Sequence, residues 1–432
     1  MQMTQKSQRK KVLIITYYWP PAGGPGVQRV LKFAKYLPEF GWEPIILTVK
    51  DGEYPAYDKS LIQDVDPDLK VFSTRSLEPF KIYKALSGQK SNSSIDNYVL
   101  KNEKPGLLPK IFKWIRFNLF IPDARLGWIP FATRKGNQIL KDENIDVIFS
   151  TSPPHSLQLT ALRLARKSNL PWVADFRDPW SSIVYYQDEF RISLAQKLDQ
   201  RWEGKVLTCA DKVITISHDV KKDLDRIANR HDTEVIYNGF DSADFSSVKP
   251  FFPHSEKIIT YAGFLSDTRI PHVFLKILSE NREKFERIQF HIYGKTSPGF
   301  DSFVTKLGLD DKVFRQGYVD HSVLVQRLFQ SDALLMVVDN VSDNKGILTG
   351  KLFDYMGAAR PIIAIGPKDG EVHKIITESS SGWYIEYEDI SKMKSCLDKL
   401  MAGNVDFQFN TRPYDRKNLT GKLAEILDSV NK

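Results

Sequence analysis

Short apolar runs alternate along the chain with longer stretches in which apolar residues recur every three or four positions. Val12–Tyr17, Pro44–Val49, Val147–Ser150, Trp172–Asp175 and Lys212–Ile216 are runs of strand length, and near-continuous apolarity marks strands buried on both faces. Val30–Phe40, Ser156–Lys167 and Val220–Ile227 carry helical spacing between them. Such alternation predicts parallel strands joined by crossover helices. Glu234–Asp241 reads as a short strand entering an Asn-Gly turn, and the segment to Pro253, with its proline and aromatic residues, reads as a connector. A second series follows: Ile258–Ala262, Ile288–Tyr293, Val313–Phe314, Ala333–Val338 and Pro361–Ile365. The expected architecture is α/β, with two Rossmann-like, doubly wound parallel-sheet domains facing across a cleft. The first spans 1–240 and the second 254–412, and ligands are expected beyond the carboxyl ends of the strands.

One stretch, about 87–128, breaks the alternation. Its first part is polar. In its second part, Leu107–Ile121, Lys110, Lys113 and Arg116 recur every third residue among Phe112, Trp114, Ile115, Phe117 and Leu119. A basic, aromatic-rich amphipathic helix suits a membrane interface. The alternative is a helix packed on its own domain.

Composition narrows the class without naming it. A chain of 432 residues with 42% hydrophobic content can fill two cores. The net charge of +8 is spread over 61 basic and 53 acidic residues, so anionic partners are expected but nucleic acid is not. Cys209 and Cys396 lie far apart without metal-type spacing, which excludes a disulfide framework and a zinc site as expectations. The apolar run after basic Lys6–Lys11 is too short for a signal peptide, and no run approaches the ~20 residues that cross a bilayer. A cytoplasmic protein is expected, either free or peripheral on the inner face of the membrane.

Candidate chemistry gathers in the loops after the strands. Gly346–Pro361 places a Gly-punctuated loop, Lys351 and Asp354 at one helix start, where free amides near Thr349 and Gly350 would face an anion. Asp354, one turn in, could accept hydrogen bonds from a ribose diol; otherwise it is a solvated residue on an amphipathic helix. Gly263 and Arg269 follow another strand, and Arg269 is placed to meet a phosphate. Gly370 and Glu371 open a helix after a further strand. In the first half, Gly23 and Gly24 sit in a loop that is not a dinucleotide fingerprint, because Arg29 stands where its last glycine belongs. That loop either lets backbone approach a ligand or is a tight structural turn. His155 could touch a sugar hydroxyl or steady a developing charge, or be structural. Arg177, Asp178 and Trp180 cluster after a strand. Trp180 could stack on a sugar ring and Asp178 could orient or deprotonate a hydroxyl; otherwise an Arg–Asp pair locks the loop.

Taken in order, "PPAGGPGVQR", "WVADFRDPW", "VITIS", "VIYNGFD", "YAGFL" and "GKLFDYMGAARPIIAIG" resemble the family-four glycosyltransferases of the two-Rossmann GT-B fold over nearly the whole chain. The resemblance implies a nucleotide-sugar donor on the C-terminal domain and a glycan or lipid-linked acceptor on the N-terminal one. It further implies cleft catalysis with retention of configuration, no metal or other cofactor, and a last helix (413–432) returning to the first domain. His155, Asp178, Arg269 and Lys351 are then the catalytic candidates. Gly23, Gly24, Gly263, Thr349, Gly350, Asp354, Gly370 and Glu371 are the donor-binding ones, and Arg177 and Trp180 the acceptor-binding ones. Two positions depart from the family: its first motif Glu falls on Gly346, and its usual Arg falls on Phe264. A nucleotide-sugar epimerase of the same fold and a non-catalytic membrane-associated scaffold are the rival expectations.

Overall fold

The computed structural model describes residues 9–77, 114–181, 191–246, 255–342 and 344–431. The chain forms two compact units, Met1–Tyr237 with Leu419–Lys432, and Asn238–Asn418.

Among the described residues unit 1 holds seven strands: β1 (Lys10–Thr16), β2 (Trp42–Val49), β3 (Lys70–Thr74), β4 (Val147–Ser152), β5 (Trp172–Phe176), β6 (Lys212–Thr215) and β7 (Glu234–Val235). All pair in parallel, in the order β3-β2-β1-β4-β5-β6-β7. Val12–Ile15, Ile45–Leu47 and Val147–Phe149 are fully buried, as both faces of a doubly wound sheet require. Strand order reverses between β1 and β4, where the loops beyond the strand ends diverge and leave room for a ligand.

Unit 2 repeats the plan with β8 (Lys257–Ala262), β9 (Ile288–Tyr293), β10 (Val313–Gly317), β11 (Ala333–Val337), β12 (Ile362–Gly366) and β13 (Gly382–Glu386). Their order is β10-β9-β8-β11-β12-β13, all parallel, with the reversal between β8 and β11. The strands β3 and β13 escape the apolar-run criterion because they are sheet edges. Lys70–Thr74 has no buried residue and Gly382–Glu386 has one.

The last helix, Arg416–Val430, begins in unit 2, where Arg416 N donates to the Phe240 carbonyl at 2.7 Å. From Leu419 onward it belongs to unit 1. Leu419, Leu423 and Leu427, four residues apart, are buried in that unit's core, each contributing about 1.5–3 kcal/mol by burial. Among the described residues no helix is long and apolar enough to cross a membrane.

Candidate active site

In unit 2 the helix Lys351–Gly357 brings Lys351 and Asp354 to one face, three residues apart. Lys351 Nζ donates to the Tyr261 hydroxyl at 2.7 Å and lies 4.0 Å from the centre of its ring. Tyr261 in turn donates to the Phe264 carbonyl at 3.1 Å. Gly263, at φ +103°, follows β8; a Cβ there would sit 3.6 Å from Lys351 Nζ, in a backbone conformation that L side chains rarely adopt. Burial, reinforced by the nearby Arg269 guanidinium, pushes the Lys351 ammonium down to about 7. The structure therefore holds a cation short of solvent in a place that an anion would relieve.

Arg269 is half-buried and already engaged. Its Nε and Nη2 donate to Asp339 Oδ2 at 2.9 and 2.6 Å, and Thr268 Oγ1 donates to Oδ1 at 2.6 Å. Asp339, just past β11, is the site residue that sequence reasoning missed. Its carboxyl is held low despite burial by the hydrogen bonds from Arg269 and Thr268. Its signal was present as the acid that follows Ala333–Val338. Thr349 Oγ1 is buried with no hydrogen-bond partner among the described residues. It immediately precedes Gly350, whose helix start has no side-chain cap. A buried, unsatisfied hydroxyl costs about 1–3 kcal/mol, and a bound ligand oxygen would remove that cost.

Asp354 is half-buried, and burial raises its carboxyl while His321 and Arg416 oppose the rise and Asp244 adds to it. His321, Arg416 and Asp244 come from three distant stretches, so no local motif announces them. Gly370 leads into the helix Glu371–Ser379. Glu371 is buried, and its amide donates to the Lys345 carbonyl at 2.7 Å, which ties this loop to the Gly346–Gly350 loop.

In unit 1 the loop after β1 carries Gly23, whose amide donates to the Ala56 carbonyl at 2.9 Å. Gly24, at φ +104°, opens the helix Pro25–Tyr36. Arg177 differs from expectation. It is buried, with Nε and Nη2 donating to the Ser152 and Pro153 carbonyls at 3.1 and 2.8 Å, and a Cβ on Gly26 would overlap its guanidinium. Arg177 is thus tied to the β4 loop and packed against the start of the helix Pro25–Tyr36, and it does not offer itself to an acceptor.

Trp180 is corrected on the same ground. It is 0% exposed, donates from Nε1 to Asp199 Oδ1 at 2.5 Å, and stacks on His155 with ring centres 5.1 Å apart. No face remains for a sugar. His155 is buried, its Nδ1 3.2 Å from Ser152 Oγ, and burial drives it down to about 3. It is a neutral imidazole at physiological pH and cannot steady charge as a cation, although a hydrogen bond to a hydroxyl is still open to it. Asp178, half-buried beside Arg177, has its carboxyl raised by burial, with the guanidinium pulling the other way.

The stretch that broke the alternation also reaches this part of unit 1. Asp123 accepts from Ser156 N and Oγ at 2.8 Å each, capping the helix Ser156–Ser168. Arg125 bonds Glu53 at 3.2 Å and lies over the Tyr17 ring. Among the described residues no group of three or more His, Cys, Asp or Glu side chains could hold a metal.

Comparison with known proteins bears on this geometry. Residues 95–244 match the model of Glycosyltransferase Family 4, and no curated protein matches the chain in sequence. Among solved structures, a glycosyltransferase from Rickettsia africae aligns over 98% of this chain and 99% of its own, at 15% identity and a TM-score of 0.60. HepE from Anabaena, solved with UDP and glucose, aligns over 97% and 100%, at 15% identity and 0.58. A Listeria monocytogenes structure named for UDP-N-acetylglucosamine 2-epimerase aligns over 98% and 96%, at 12% identity and 0.55. The fold is GT-B, and the resemblance to family-four glycosyltransferases read from the motifs holds.

Proposed function

We propose, from a GT-B chain that resembles the family-four glycosyltransferases, that this protein moves a sugar from a nucleotide-sugar donor to a glycan or lipid-linked acceptor. The carrying observation is the half-buried Lys351, bonded to the Tyr261 hydroxyl and with its ammonium pushed down to about 7 by burial, beside a Thr349 hydroxyl that has no partner among the described residues. That arrangement favours a diphosphate: an anion there restores the ammonium's charge and gives Thr349 an acceptor. Arg269, steadied by Asp339, and the amides near Gly263 and Gly350 complete the diphosphate site. Asp354 takes the ribose hydroxyls, and Gly370 and Glu371 lie toward the sugar. In the reaction the bond between the anomeric carbon and the diphosphate oxygen breaks, and the acceptor oxygen bonds to that carbon. The acceptor's proton passes to the leaving phosphate, with retention of configuration.

In unit 1 the acceptor hydroxyl is oriented by Asp178 and by His155 as a neutral hydrogen-bonding group, and Gly23 and Gly24 let backbone come close to a ligand. No metal or other resident cofactor takes part. We place the protein in the cytoplasm or on the inner face of the membrane, with Leu107–Ile121 touching that surface, in synthesis of a cell-envelope or extracellular polysaccharide. An epimerase reading is favoured only by the Listeria likeness.

A thermal-shift panel of UDP-, GDP-, ADP- and CMP-sugars, followed by turnover with and without added acceptors, tests the reading. A ligand at 100 times its Kd adds about 2.7 kcal/mol to the stability of the state that binds it. Stabilisation by one nucleotide family, abolished in Lys351→Ala, is expected. Turnover of the donor to an isomeric nucleotide sugar without acceptor would make the protein an epimerase, and no shift with any donor would overturn donor binding altogether.

A further inference from the structure

The helix Ser193–Cys209 in unit 1 sorts its charges by face. Ala195, Asp199, Glu203 and Val206 are buried, so both carboxylates of the helix point into the unit. Asp199 is held there by Trp180 and by Arg191 at 2.7 Å, and Glu203 accepts from the Ser181 amide and hydroxyl. The opposite stripe, at spacing i, i+3, i+4, i+7 and i+11, is Leu194, Lys197, Leu198, Arg201 and Lys205, all exposed. Leu194 is 72% exposed and Leu198 39%. Lys197, Arg201 and Lys205 form no ion pair among the described residues, and Lys205 lies over the Trp202 ring.

A second element adjoins the start of this helix. Residues 114–118 are helical; Asn118 Oδ1 accepts from the Ile192 amide at 2.7 Å and Arg191 Nε donates to the Phe117 carbonyl at 3.2 Å. That element exposes Trp114 by 40% and Leu119 by 61%, with Arg116 between them. Two adjoining elements of one unit therefore expose large apolar side chains, and the longer helix exposes its cations beside them.

We infer that this face docks on an anionic lipid bilayer, with Leu194, Leu198, Trp114 and Leu119 entering the interface. Lys197, Arg201 and Lys205 then meet the head groups. Charge complementarity selects this occupant. The stripe carries three cations and no acid, whereas protein-binding surfaces are depleted in lysine relative to the rest of the surface. Long basic side chains can lay their stems on the interface while their heads stay among the phosphates. The inference does not depend on the transferase reading.

Co-sedimentation of the full chain with phosphatidylcholine vesicles, with and without phosphatidylglycerol, tests it. Partition onto the phosphatidylglycerol vesicles alone, weakening as salt rises, is expected. Lys197→Gln/Arg201→Gln/Lys205→Gln should lower that partition roughly a hundredfold, since each cation near an anionic leaflet contributes several-fold. Leu194→Glu/Leu198→Glu should lower it at least about tenfold by removing inserted apolar surface. Both variants should keep the parent's melting temperature and its response to nucleotide sugars, because every altered side chain points away from the core. Equal or absent sedimentation on the two vesicle types would overturn the inference, as would variants that sediment like the parent. Self-association seen by light scattering and lost in the leucine variant, without lipid binding, would instead make the face a contact between copies.

Discussion

Lys351 sets the chemistry of the site at the scale of one residue. Its pKa of about 7 means that the charge needed for an anion is full only below neutrality in the free protein. A bound diphosphate raises that pKa, so affinity should be flat below about pH 6 and fall as pH rises through 7, until the pKa of the complex is passed. Calorimetric titration with a nucleoside diphosphate from pH 6 to 9 checks the sign, and Lys351→Met should remove the dependence. The same substitution should raise the melting temperature, because folding no longer desolvates an ammonium whose unfolded pKa lies near 10.5. Stability and binding thus move in opposite directions at this position. Asp354→Ala should weaken donor binding at least about tenfold, as loss of hydrogen bonds to a charged acceptor does. Unchanged affinity and turnover would remove Asp354 from the site. Lys351, Asp354, Arg269 and the glycines stood out as candidates from position alone, since each lies beyond the end of a strand. Asp339 was missed because its importance lies in a bond to Arg269, seventy residues earlier, and Trp180 was misjudged because burial by Asp199 and His155 leaves no trace in its local sequence.

Among elements, the segment that broke the alternation supplies a cap. Without Asp123, the amide and hydroxyl of Ser156 at the start of the helix Ser156–Ser168 lose their acceptor. Asp123→Ala should cost about 1 kcal/mol, within the 0.5–2 kcal/mol range for lost caps, visible as a lower urea midpoint with unchanged slope. Strand identity was readable where strands are sheathed on both faces, as for Val12–Ile15. It was unreadable at β3 and β13, where half the side chains face water and the apolar run disappears. The interfacial helix expected over Leu107–Ile121 lies outside the described residues up to Lys113. Of its described part, 114–121, residues 114–118 are helical and expose Trp114, while 119–121 form a turn and bend instead of continuing the helix.

The division of the whole molecule into two units rests on pattern that a sequence carries well, because each half repeats a run of strands and helices. What pattern cannot carry is which core the last helix completes, since Leu419, Leu423 and Leu427 would suit any apolar groove. Leu423→Ala, at a fully buried position, should destabilise unit 1 by about 2–5 kcal/mol. Tryptophan fluorescence reports it cleanly: of the eight tryptophans only Trp383 lies in unit 2. A chemical melt in which the tryptophan signal is unaltered would show the helix to be dispensable. The same arrangement sets a timetable for biosynthesis. Unit 2 is continuous in sequence from Asn238 to Asn418 and closes on its own residues, whereas unit 1 lacks three core leucines until residues 419–427 have been made. An N-terminal half released early, by a stop codon or a protease, would expose the groove those leucines fill and be prone to aggregate.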